Sequence, residues 1–421
     1  MKLSRSILNI ANYSYPNLHE VGFLSASLLY SLEFSDEAIR LYKAIPHNHY
    51  LSSLAVIQLA SLLNLNNEED EAIKALKDYL KVKNNFKVKM TLGDHYRYKS
   101  DWENAQKTYT QIIENEKYAL DPNLWNTFYR RGIAHERNKQ MDLAEKDFAG
   151  LVIGNQAANF SVGANIGMIF MMAAEQEYDE LNMAIKYFQD SMMRMRYSSI
   201  PTISAPHGMA LGGGCELSLH ADKVVAAAET YMGLVEFGVG VIPGGGGSKE
   251  MALRAQDQFQ KGDVQLNVLQ EHFLTIGMAK VSTSAYEAFD LNLLQKGKDV
   301  VVVNKDRQIA VAKQHAKLMA ESGYTQPTKR TDIKVLGKQA LGMFLVGTDS
   351  MQESNYISEH DMKIANKLAN VMAGGDLSEP TLVSEQYLLD LEREAFLSLC
   401  TERKTLERIQ HMLKTGKPLR N

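Results

Sequence analysis

Hydrophobic positions along the first third of the chain recur at helical spacing, and they do so in a repeating frame. The frames align on Ala38, Ala72, Ala105 and Ala144, which lie 34, 33 and 39 residues apart. Four residues after each comes a bulky side chain (Tyr42, Leu76, Tyr109, Phe148), and twelve residues before each sits a small one (Ala26, Ala60, Gly93, Gly132). Such a pattern predicts pairs of helices in which the small residue lets the two approach and the large one fills the space between them. Segments such as DEAIRLYKAIP and DEAIKALKDYL place acidic residues in the first turn, where they favour a helix N-terminus. Past Phe148 the pattern changes. AGLVIGN reads as a buried strand and a turn, so the fourth pair is cut inside its second helix, without a Pro/Gly/Ser-rich linker. Residues 251–421 read mainly as helices again. Asn292 ends the helix of STSAYEAFDLNLL in a left-handed turn, Ser358-x-x-Asp361 opens a helix that Gly374-Gly375 closes, and Gly416 stops the last one.

Composition sharpens this division. Residues 1–149 contain 3 glycines and residues 150–421 contain 25. A chain of 421 residues fits two or three domains, read here as 1–148, 149–300 and 301–421. The net charge of −4 gives no basic excess for nucleic acid, and the first 149 residues balance 19 Lys+Arg against 19 Asp+Glu. Cys215 and Cys400 are too few for a disulfide framework or a zinc cluster, which points to a reducing, cytoplasmic setting. No apolar run approaches the roughly 18 residues of a membrane span. The start, MKLSRSILNIANYSYPNLHE, lacks the continuous apolar segment of a signal peptide.

Candidate chemistry concentrates in residues 150–250, where 13 of 15 glycines fall in three clusters: NFSVGANIGM, GMALGGGCELSLHAD and YMGLVEFGVGVIPGGGGSKEMALR. Each adjoins an apolar strand or helix, so exposed backbone N–H groups are expected to line a site. None is a dinucleotide fingerprint, because Gly238-Val-Gly240 is followed by Pro243 where the third glycine belongs, and none is a Walker A loop. His207 and His220 flank the second cluster, but no further ligands complete a metal pattern and none is expected. Cys215 reads as small apolar filler, and MMAAEQEYDELNMAIKYFQDSMMRMRY as an amphipathic packing helix.

Two resemblances follow from these residues. Across roughly residues 18–148, the period and residue classes resemble the tetratricopeptide repeat, an α-helical solenoid. The bulky first-helix position of that family is only partly kept, reading Gly22, Val56, Lys89 and Phe128. The likeness implies a protein or peptide partner on a concave surface.

The second stretch resembles the crotonase, or enoyl-CoA hydratase/isomerase, superfamily. It carries a glycine-alanine turn, then GGGCE, then a glutamate 20 residues on that precedes IPGGGG. More narrowly, residues 150–421, down to KTGKPLRN, resemble the C-terminal part of fused 3-hydroxyacyl-CoA dehydrogenase/enoyl-CoA hydratase proteins of fatty-acid β-oxidation. This likeness implies an α/β crotonase-like domain with a mainly helical C-terminal region, and a 2-enoyl thioester of coenzyme A as substrate. It implies Glu216 as the glutamate that activates water and Glu236 as the one that delivers a proton. The backbone N–H groups of Ala164 and Gly213 would form the oxyanion hole, with Val162, Asn165 and Gly212 against the substrate. Coenzyme A would enter only as part of the substrate, and no separate cofactor is expected; the dehydrogenase half is absent, so NAD chemistry is not expected either.

Two departures matter. Asn165 stands where many crotonases have Asp. The strand and helix that open the family fold have no counterpart, since the repeat helices occupy those positions, and an open sheet edge is predicted unless a homo-oligomer covers it. Three readings follow. The chain is an enoyl-CoA hydratase or isomerase, or a repeat scaffold joined to an inactive crotonase fragment, or a chimera from recombination or sequence assembly with no evolved joint function. By ancestry it would be a dehydrogenase/hydratase fragment without its NAD domain.

Overall fold

The computed structural model describes residues 18–421 apart from 33, 120, 122 and 123. The opening stretch read above for a leader segment lies, up to residue 17, outside the described residues. Contacts divide the chain into two compact units, Met1–Phe148 and Ala149–Asn421.

The described residues of the first unit form α1 (His19–Ser31), α2 (Ser35–Lys43), α3 (Ser52–Leu65), α4 (Glu69–Val82), α5 (Phe86–Tyr98), α6 (Trp102–Ile113), α7 (Leu124–Arg137) and α8 (Met141–Asp147). Each helix packs on its neighbours in sequence. Ala26, Ala38, Ala60, Ala72 and Ala105 are all fully buried. A Cβ added at Gly93 would lie 2.4 Å from the Tyr109 ring, and one at Gly132 would lie 2.6 Å from the Phe148 ring. The backbone repeats with the side chains. The N–H groups of Phe34, Glu68, Asp101 and Gln140 donate back to the carbonyls of Leu29, Leu63, Tyr96 and His135, a 6→1 closure at the end of each pair's first helix. Asn67, Ser100 and Lys139 adopt positive φ one residue before three of these donors. The four turns therefore recur at the same spacings as the buried alanines.

The second unit is built on parallel strands. Its larger sheet has the order β1 (Leu151–Ile153), β2 (Thr202–Ser204), β4 (Lys223–Ala227), β6 (Val300–Val302), all parallel. A smaller parallel pair, β3 (Gly208–Leu211) with β5 (Thr230–Gly233), forms the floor of the candidate site. It is extended by bridges from Ser161 to Ala210 and from Val281 to Gly233. Between the strands lie α9 (Ile166–Ala174), α10 (Tyr178–Arg196), α11 (Gly213–His220), α12 (Gly247–Asp257), α13 (Gln265–Gly277) and α14 (Ala285–Asp290). Beyond β6 come α15 (Gln308–Glu321), β7 (Ile333–Val335), α16 (Lys338–Glu353), α17 (Glu359–Ala373), β8 (Thr381–Val383), α18 (Glu385–Cys400) and α19 (Arg403–Thr415).

Local signals behave as their chemistry requires. Ser358 and Asp361 form a reciprocal capping box at the start of α17, Gly374 ends that helix with φ 83°, and Asn292 sits at φ 59° after α14. Two expectations are corrected. The strand in AGLVIGN is not buried: Leu151 is 45% exposed, because β1 is the last strand of its sheet and pairs only with β2 among the described residues. The methionine-rich segment is two helices rather than one, broken where Gln176 takes φ 63°. Strand β6 spans residues 300 and 301, so the C-terminal helices continue the same compact unit.

Candidate active site

Strand β3 ends in LGGGCE, and the glycines make the turn into α11 possible. Gly212 has φ 53°, and a Cβ there would stand 2.9 Å from Glu236 Oε1. A Cβ on Gly214 would collide with the Ser161 side chain at 2.5 Å. The segment carrying Ala164 is pinned beside this turn. Ser161 N–H donates to the Met209 carbonyl and Leu211 N–H to the Ser161 carbonyl, at 3.0 and 2.9 Å. Gly163, at φ 105°, then bends the chain so that Ala164 N lies 3.8 Å from the position a Cβ would take at Gly213. Among the described residues, neither the Ala164 nor the Gly213 N–H donates a hydrogen bond inside the protein. Gly213 opens α11, whose N-terminal dipole end adds positive potential at this point.

Two glutamates from different elements lie at this turn, Glu236 beside Gly212 and Glu216 on the helix that the turn opens. Glu216, on the first turn of α11, is buried, and its Oε1 accepts hydrogen bonds from the Gly245 and Gly247 N–H groups, both at 2.8 Å. Glu236 begins the short 3-10 turn Glu236–Val239, and its buried Oε2 has no hydrogen-bond partner among the described residues. Burial pushes the Glu216 carboxyl well above the usual carboxylate range; the charges of Glu236 and Glu392 add to this, and the two glycine N–H groups oppose it. Glu236 is raised to about 7, chiefly by burial, with Glu392 adding to it against local backbone hydrogen bonds. Such a cluster shares its protons rather than ionising site by site.

Sequence reasoning missed three side chains here. Phe188, from α10, lies 2.2 Å from where a Gly245 Cβ would be and 3.2 Å from that of Gly213, so its ring covers both glycine segments. Glu392, from α18, is fully buried against the glycine loop. Gln189 donates to Glu392 at 3.2 Å and to the Leu389 carbonyl at 3.1 Å. The only signal for α10 was its amphipathic period, and α18 carried none.

Other expected site residues divide. Gly212 is in place beside Glu236. Asn165 is the N-cap of α9, accepting from the Gly167 and Met168 N–H groups, so its side chain is engaged in holding that helix. Val162 is 64% exposed. His220 packs between the Glu216 carbonyl (2.7 Å) and Lys249 Nζ (3.0 Å), and burial together with that ammonium holds it well below the ordinary imidazole range. His207 bonds the Ala157 carbonyl at 2.8 Å. Burial pushes the Cys215 thiol far up, leaving it inert. Among the described residues, no group of three His, Cys, Asp or Glu side chains is arranged to hold a metal ion.

Comparison with known proteins gives this arrangement a lineage. Residues 120–259 match the enoyl-CoA hydratase/isomerase family. A Bacillus subtilis (strain 168) protein named "Probable 3-hydroxyacyl-CoA dehydrogenase" is 48% identical over 284 residues, 68% of this chain and 35% of that protein. A Rickettsia felis protein named "Putative fatty acid oxidation complex trifunctional enzyme" is 31% identical over 271 residues, 64% of this chain and 34% of that protein. The chain thus spans about a third of the length of these relatives. The crystal structure of enoyl-CoA hydratase from Bacillus halodurans superposes with TM-score 0.42 at 15% identity, covering 69% of this chain and 90% of that one. The chain carries a domain of the enoyl-CoA hydratase/isomerase (crotonase) superfamily, homologous to the matching third of a protein named for 3-hydroxyacyl-CoA dehydrogenase.

Proposed function

We propose that the second unit adds water to a 2-enoyl-CoA, in fatty-acid oxidation. One observation carries this reading: two carboxyls with raised pKa, Glu216 and Glu236, stand beside two unused backbone N–H groups, those of Ala164 and Gly213. Attack of water on the β carbon of an enoyl thioester moves charge onto the thioester oxygen. That oxygen needs fixed donors in a site shielded from water, and the Ala164 and Gly213 N–H groups are assigned to it. Glu216 takes the proton of the attacking water when ionised, the form that the Gly245 and Gly247 amides favour against the burial that raises its pKa. Glu236, with an unpartnered oxygen and a pKa near neutrality, delivers a proton to the α carbon. Coenzyme A takes part only as the carrier of the acyl group, and Val162 and Gly212 lie along its path.

The repeating helices are assigned to the tetratricopeptide class on their 6→1 turns and small-to-large contacts, with a protein or peptide partner as their ligand. A cytoplasmic location belongs to the same reading. The exposed edge strand β1 favours a second one, in which the domain lacks its family's opening strand and helix and serves only as a scaffold. Assay of the purified chain separates them. Loss of the ultraviolet absorbance of a short 2-enoyl-CoA, abolished by Glu236→Gln, supports the hydratase. No loss from a chain with a folded circular-dichroism spectrum supports the scaffold.

A further inference from the structure

The loop Gly244–Lys249 is gripped by two carboxylates in alternation. Glu216 Oε1 takes the N–H groups of Gly245 and Gly247, each at 2.8 Å. Glu392 takes the others: Oε1 accepts from Gly246 N at 2.6 Å, and Oε2 accepts from Ser248 N at 2.8 Å and Lys249 N at 3.1 Å. Successive peptide groups point to opposite sides here because Gly246 sits at φ 99°, which no side chain adopts without strain. Glu392 is in turn oriented from behind. Gln189 Nε2 donates to its Oε1, and Arg393 donates to Gln189 Oε1 at 3.1 Å.

We infer that Glu392 is a positioning residue of the acid/base site: by collecting the amides of Gly246, Ser248 and Lys249, it turns those of Gly245 and Gly247 onto Glu216. This rests on the hydratase reading above. Glu392 touches no substrate in that scheme and acts through the loop and through its charge. The charged groups facing it are Lys249 from α12, Glu216 from α11 and Glu236 from the 3-10 turn, while His220 packs against Gly246 and Arg393 reaches it through Gln189. Burial raises Glu392 itself to about 7, against the donors that surround it. Its ionised form therefore adds to the upward push on both catalytic carboxyls.

The test is Glu392→Gln in the full chain, with two readouts. Side-chain carboxyl NMR follows the Glu236 titration without any turnover, and hydration of a short 2-enoyl-CoA gives kcat and KM. The expected result is a lower Glu236 midpoint and a kcat reduced at least ~10-fold with KM within about twofold. A variant that melts lower but keeps both the midpoint and kcat overturns the inference, since a purely structural role moves neither. If the unmutated chain hydrates nothing, the hydratase reading fails on its own, while the NMR midpoint still decides whether Glu392 acts on the pair. Should Glu392→Gln not fold, Gln189→Leu removes one donor to Glu392, lets it protonate more readily and lowers the Glu236 midpoint by less. An unchanged midpoint there counts against the proposal.

Discussion

The two units differ most in what they bury. Among the described residues, the helical unit buries the neutral Ser25, Ser52, Gln106, Thr108 and Thr127, and its buried Asp147 side chain is paired with Arg131. The second unit buries Glu216, Lys249, Glu250, Arg254, Asp361, Glu385, Glu392 and Arg408. Ionised groups taken from water cost several kcal/mol each unless partners compensate them. Most of these are compensated: Glu250 meets Arg196, Lys249 and Arg254, and Asp361 meets Arg408 and Arg420. The exceptions cluster at one place, where Glu236 and Glu392 push Glu216 upward and Glu392 pushes Glu236. A unit held by apolar packing can repeat one solution along its length. One that clusters buried carboxyls with raised pKa values marks that place as a candidate site.

The contrast is sharpest in activity. Glu216→Gln should slow hydration by about 10³-fold, the usual scale for removing a general acid or base, measured by initial rates on a 2-enoyl-CoA. The same change at Glu71, on an exposed face of the helical unit, should leave the rate unaltered. Equal rates for both variants would erase the distinction.

Packing gives the next largest difference. Gly246→Ala must hold a side chain at φ 99° and set its Cβ 2.9 Å from the His220 ring, a cost of about 3 kcal/mol in urea unfolding. Gly93→Ala, at ordinary helical φ, meets only the Tyr109 ring, at 2.4 Å, and should cost about 2 kcal/mol. A reversed order would mean that backbone conformation is not what the glycine loop protects.

These comparisons also show what the chain reveals by itself. The helical unit was legible because its determinants are local: a small residue and a large one sixteen positions apart, such as Gly93 and Tyr109, meet within one helix pair. The turn glycines, the Ser358–Asp361 box and the left-handed Asn292 were legible for the same reason. In the site, the glycine clusters stood out by composition and spacing, and both glutamates through the family resemblance those clusters carry. Glu392 did not, since its amide partners lie 143 to 146 residues away and nothing in the text of α18 marks it. Phe188 and Gln189 were hidden in an amphipathic period that any packing helix shows. The burial of β1 was misjudged because an apolar triplet does not say how many neighbours its strand will have.

The smallest effect is a pH dependence. Glu236 has a folded-state pKa of about 7 against the ordinary 4.5, so its contribution to stability is complete below pH 4.5 and is lost as pH rises through 7. Glu236→Gln removes that loss. Across this window the variant should gain steadily on the unmutated chain as pH rises, read from urea midpoints at successive pH values. A difference that stays flat with pH would contradict the raised titration.

The most direct test of the glutamate pair is hydration in ¹⁸O-labelled water, followed by mass spectrometry of the thioester product. The expected result is a 3-hydroxyacyl-CoA carrying one ¹⁸O on the β carbon from the unmutated chain, and no labelled product from Glu236→Gln. A folded, unmutated chain that leaves the 2-enoyl-CoA unlabelled and unchanged would contradict it.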